Sequence, residues 1–155
     1  MPLRTDLRGF TMVELVVTIM VIGILAVNIL PRWSGSSGFD ERGFRDRVVA
    51  GLRYAQKSAI ASRRTVCASF SSPPASVTFR LAAFGAVNCA VSIPLVGPEN
   101  TPLVVTATGG VNFAALPADV IFDAAGRPAA AASINVSGLA AALVITVEAE
   151  TGYVH

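Results

Sequence analysis

Residues 8–33 read RGFTMVELVVTIMVIGILAVNILPRW, an apolar run of membrane length with an acid near its start. Glu14 stands between Val13 and Leu15, and no further charge follows through Leu30. Even lenient insertion scales put the cost of an acid at the centre of a membrane helix at about 2.5–3.5 kcal/mol. A segment of this kind therefore needs something to compensate Glu14.

The rest of the chain limits what that segment can be attached to. Of 155 residues, roughly 120 remain once an N-terminal helix is set aside, enough for one small core. The composition is 53% hydrophobic and 14% charged, but the excess is mainly Ala and Val spread along the chain. Gly, Pro, Asn and Ser interrupt every later apolar run before it reaches the roughly 18 residues that a bilayer requires. The pattern predicts one anchor and one domain outside the membrane. Charge divides along the chain: Arg32 to Arg80 holds nine basic residues and three acids, whereas Leu81 to His155 holds Arg127 against five acids. Such a division suits either two solvated faces or subunits that meet front to back.

Three kinds of N-terminus compete. A cleaved secretory signal needs a small-residue site after its apolar core, and NILPRWSGSS offers none. A signal anchor is compatible with Arg4 and Arg8, which would hold the N-terminus in the cytoplasm, but leaves Glu14 unexplained. The residues RGFTMVEL resemble the type IV prepilin signature, in which a short basic leader ends in Gly, Phe follows, and Glu is fifth after the cut. The resemblance implies a leader over residues 1–9, removed between Gly9 and Phe10 by a prepilin peptidase that also methylates the new amine of Phe10. It implies an assembly and transmembrane helix over 10–31, with Pro31 matching the proline common near the end of the pilin span.

Geometry then suggests a partner for the acid. The amine of Phe10 is four residues from Glu14, about 6 Å along a helix, so a neighbouring subunit one step away can bring its amine to this carboxylate. Breaking a buried pair costs roughly 3–5 kcal/mol because a charge is left uncompensated. Glu14 is thus expected to register subunits during assembly.

Beyond the anchor, Pro31 should kink the helix, SGSSGF should be flexible, and Asp40 is expected to cap a second helix. From Asp40 to Arg64, Phe44, Val48, Leu52, Ala55 and Ala59 recur at the helical period and predict a buried stripe. Arg42, Asp46, Arg53, Lys57 and Arg64 fall within about 60° of one another on the other side and predict a mostly basic face. By default that face is solvated, with a contact to a neighbouring subunit as the alternative and nucleic acid least favoured because no aromatic residues interleave. Residues 32–64 are accordingly a linker and an amphipathic helix. After Arg64 the period changes to two. TVCASF, SVTFRLA, LVVTAT, VNF, VIF, SINVSG and LVITVEA alternate with turn-rich segments, which predicts a β-rich domain over 65–155. The expected fold class is α+β, a long N-terminal helix on an antiparallel sheet of about six to eight strands. Cys67 and Cys89 suffice for one disulfide outside the cytoplasm, or are two separate buried thiols.

The chain as a whole resembles the GspH/FimT group of minor pilins and pseudopilins, through IFDAAGRP, INVSG and the closing ITVEAETGYVH. LPRW, FDERGFRDRVVAGLRYAQKSAIASRRTVCASF and ETGYVH are most similar to the minor pilins of the mannose-sensitive haemagglutinin (MSHA) pilus. This resemblance implies a minor pilin that enters or initiates a pilus. Its partners would be the major pilin, other minor pilins and an inner-membrane assembly platform. It also implies a single pass through the inner membrane with a periplasmic domain, and later a place at the cell surface. A type II secretion pseudopilin is the alternative. Relatives implicated in DNA uptake carry arginines in the tail, where this chain has Gly152, Tyr153, Val154 and His155, so nucleic acid is disfavoured. Catalysis is not expected either. There is one terminal histidine; Asp119 and Asp123 flank the strand VIF as turn residues; and Gly109-Gly110 lacks a phosphate-loop context. No cofactor or metal is anticipated.

Overall fold

The computed structural model describes residues 10–29 and 37–155, which fall into two separate units divided at Ser36. The leader at 1–9, with Gly9, and the segment holding Pro31 lie outside the described residues.

In the first unit, helix α1 runs Met12–Ile29. Ten of its 18 residues are Val, Ile or Thr, side chains that lose rotamer freedom in a helix. Local propensity in water therefore does not account for it. Its 18 residues span about 27 Å. Among the described residues no helix is long and apolar enough to cross a membrane.

The second unit begins with α2, Ser37–Ser62. The helix thus starts three residues before Asp40, which sits in its first turn rather than at the cap. All five residues of the expected stripe, Phe44, Val48, Leu52, Ala55 and Ala59, are fully buried. The helix ends in a hydrogen-bonded reversal: Arg63 N–H donates to Ile60 C=O, Arg64 N–H donates to Ala59 C=O, and Arg63 takes the left-handed φ of 51°.

Seven strands complete the unit: β1 Val66–Ser71, β2 Ser76–Ala82, β3 Ser92–Pro94, β4 Val104–Thr106, β5 Val120–Phe122, β6 Ala132–Ile134 and β7 Ile145–Val147. All pairings are antiparallel. The main sheet runs β3-β2-β1-β5. β4 shares the β3 side of β2, opposite Ser76–Thr78, while β3 lies opposite Arg80–Ala82. β6 and β7 form a second sheet. VNF at 111–113 is not a strand; it contributes one bridge, Phe113 to Val136. β3 was not anticipated: it is a three-residue edge strand ending in Pro94, a residue confined to such edges because it has no N–H to give.

The helix and both sheets share one apolar cluster, whose largest fully buried members are Phe44, Phe79, Phe122, Leu52, Ile134 and Ile145. Each such burial contributes roughly 1.5–3 kcal/mol. Cys67 and Cys89 are joined by a disulfide with their Cα atoms 6.2 Å apart. Arg80, opposite Cys67 on β2, secures the same loop by donating to Ser92 Oγ at 2.7 Å and Ser92 C=O at 2.9 Å.

Candidate functional site

At the start of α1 the chain makes its own helix cap. Glu14 N–H donates to Thr11 Oγ1 at 3.2 Å, and Leu15 N–H donates to Thr11 C=O at 3.1 Å. Thr11 is therefore the N-cap, and Glu14 occupies the third helical position of a Thr-x-x-Glu sequence, where a capping-box acid belongs. A negative charge there faces the positive end of the helix dipole. Phe10 is left just outside the helix and is 74% exposed. Thr11 was not anticipated beside the intermolecular partner expected for Glu14, although its signal was present in the letters TMVE.

Residues 6–27 match the family described as the prokaryotic N-terminal methylation motif, the signal of type IV pilin-like prepilins. That segment contains Gly9, Phe10 and Glu14. The motif supports a type IV pilin or pseudopilin. No curated protein and no solved structure matches the chain. An N-terminal helix followed by an antiparallel sheet domain is a type IV pilin-like α+β architecture. The motif implies processing by a prepilin peptidase and assembly with other pilins.

The pilin-like domain closes its C-terminus onto α2. Past β7 the chain reverses, and Thr146 and His155 exchange both backbone hydrogen bonds at 2.8 and 3.0 Å, burying Val154. Arg53 donates from Nε and Nη2 to Val154 C=O at 3.0 and 2.8 Å. Gln56 donates from Nε2 to Gly126 C=O at 3.0 Å and to Thr151 C=O at 2.9 Å. One side chain thus holds the turn of IFDAAGRP against the turn of ETGYVH. Both glycines are required. A Cβ at Gly126 would lie 2.6 Å from Ile60 Cδ1, and one at Gly152 would collide with Gly126 C=O; each also has a left-handed φ.

These contacts add to the expected basic face. Arg42, Asp46, Arg53 and Lys57 are exposed as anticipated, but Arg53 also holds the tail, and Arg64 is half-buried and directs Nε and Nη2 to Ala82 C=O. Asp119 does more than flank β5: its carboxylate accepts from Ser69 Oγ at 2.9 Å. Asp123 organises its turn by accepting from the Ala125 and Arg127 N–H groups at 2.9 and 2.8 Å and from the Arg127 guanidinium. Desolvation, the largest single influence, raises its carboxyl pKa. The hydrogen bonds and charge of Arg127 with the Ala125 N–H outweigh it together, so the net position is below the ordinary value of 3.8. In the tail, Tyr153 and His155 stack with ring centroids 5.3 Å apart, and His155 Nε2 lies 3.3 Å from Glu148 Oε1.

Proposed function

We propose that this chain is a minor pilin of an MSHA-like type IV pilus, cut between Gly9 and Phe10, methylated on Phe10, and anchored by the 10–31 segment in the inner membrane until assembly. The observation that carries the reading is the methylation motif over residues 6–27, with Glu14 fifth after the proposed cut. Two features add to it. The N-cap at Thr11 leaves Phe10 outside the helix, so removal of the leader need not unwind α1. The Cys67–Cys89 bridge suits a domain in the oxidising periplasm.

Glu14 then has two successive roles. In the single subunit it supports the first turn of α1. In the filament its carboxylate takes the methylated amine of a neighbour, because opposite charges in a low-dielectric medium attract far more than in water. The apolar side chains of α1 exposed in the lone chain supply the surface along which subunits stack.

Mass spectrometry of the mature N-terminus, from cells with and without the peptidase, tests the reading. A chain beginning at N-methylated Phe10 only when the peptidase is present is expected. A mature chain beginning elsewhere, or an unmethylated one, contradicts it. Secretion pseudopilins would share this chemistry, so the pilus assignment is tested separately by recovery of the protein in sheared pili rather than with the exoprotein machinery.

A further inference from the structure

A groove of about 420 Å³ lies between α2 and β4, lined by Arg47, Ala50, Gly51 and Tyr54 on the helix and by Pro98 and Val104 among the residues opposite. Its shape derives from particular residues. A Cβ on Gly51 would sit 2.8 Å from the Phe79 ring, so the helix presents backbone there. Tyr54 donates its hydroxyl to Val96 C=O at 2.9 Å, fixing the 95–103 excursion as a wall.

Among the described residues, the strand beside the groove has an unpaired edge. Leu103 C=O accepts from Phe79 N–H, Ala107 N–H donates to Ala75 C=O, and Val105 pairs with Val77, so odd-numbered positions face β2. By the alternation of an antiparallel ladder, Val104 and Thr106 turn their N–H and C=O groups away from β2. Both residues are exposed. Two donors alternating with two acceptors beside an apolar cavity complement another peptide backbone. They do not complement an acyl chain or a phosphate.

Charge narrows the occupant. Arg47 is exposed and makes no ion pair among the described residues, its Nε reaching only Gly43 C=O at 3.3 Å. We propose that β4 accepts an extended peptide from another protein as an added strand, with an apolar side chain in the groove and an adjoining carboxylate on Arg47. The inference is separate from the pilin reading. The mature N-terminus decides that reading, and the β4 edge decides this one.

The test titrates the full chain, in detergent, with acetyl-Asp-Val-Ile-Val-amide while following amide hydrogen exchange. Binding should slow exchange at Val104 and Thr106 by about tenfold or more. Methylating the peptide's backbone nitrogens should abolish binding. Arg47→Glu should weaken the acidic peptide about threefold to fivefold and favour its Lys-for-Asp counterpart. Ala50→Trp, at an exposed position, should block the groove while leaving the circular dichroism of the fold unchanged. No protection at Val104 and Thr106, or equal binding by the N-methylated peptide, overturns the proposal.

Discussion

Helix α1 leaves its large apolar side chains from Met12 to Leu25 between 49% and 82% exposed, whereas α2 buries Phe44, Val48, Leu52, Ala55 and Ala59 completely. The first helix is apolar on every side, the second along one stripe. A helix apolar all round is stabilised by its surroundings, and an amphipathic one by the layer it covers. The sheet over α2 is part of this chain. On the reading proposed above, the corresponding partner for α1, and for the charge of Glu14 within it, is supplied by lipid and other subunits.

The difference should appear most strongly in unfolding energetics. Phe44→Ala should destabilise the domain by about 3–5 kcal/mol, measured by denaturant titration of its tertiary signal, whereas Leu15→Ala should change that transition by less than about 0.5 kcal/mol. Equal losses would erase the distinction between the helices. Next in size, Cys89→Ser should cost the domain about 3 kcal/mol through the 22-residue separation of the bridge, seen as a fall in its melting temperature. A melting curve unmoved by the change would show that the bridge constrains nothing. Gln56→Ala removes two hydrogen bonds between α2 and the C-terminal turns, at about 1–2 kcal/mol in total. Faster amide exchange at His155 should accompany it, and unchanged exchange would mean that the tail holds without Gln56. The smallest effect concerns Asp123. Its folded pKa lies below the unfolded one, so its stabilisation is present above about pH 3.9 and is lost as pH falls through the lower folded value. Asp123→Asn should flatten the stability curve below about pH 4; an unaltered acid limb would deny the turn its role.

What could be read from the letters depended on the range of the interaction. The stripe of α2 and the bounds of β2 were legible because the periods of 3.6 and 2 are local and burial enforces them. Asp40 misled as a cap since Ser37, Gly38 and Phe39 continue the helix backwards. The carbonyl bonds of Arg53 and Arg64 were not legible because a helical projection shows which way a guanidinium leaves but not which carbonyl it reaches. Val154 and Ala82, 101 and 18 residues away, are not local information. β3 escaped for a similar reason, its three residues being held by β2 rather than by any pattern of their own. At the N-terminus the position of Glu14 in the prepilin signature drew attention from the ordinary capping sequence that contains it.

Glu14→Val separates anchoring from stacking most directly, read as the share of processed protein in sheared filaments against the membrane fraction. The charge-pairing account predicts normal removal of the leader, normal retention in the membrane, and loss from filaments. Filament content equal to that of the unaltered protein would contradict it.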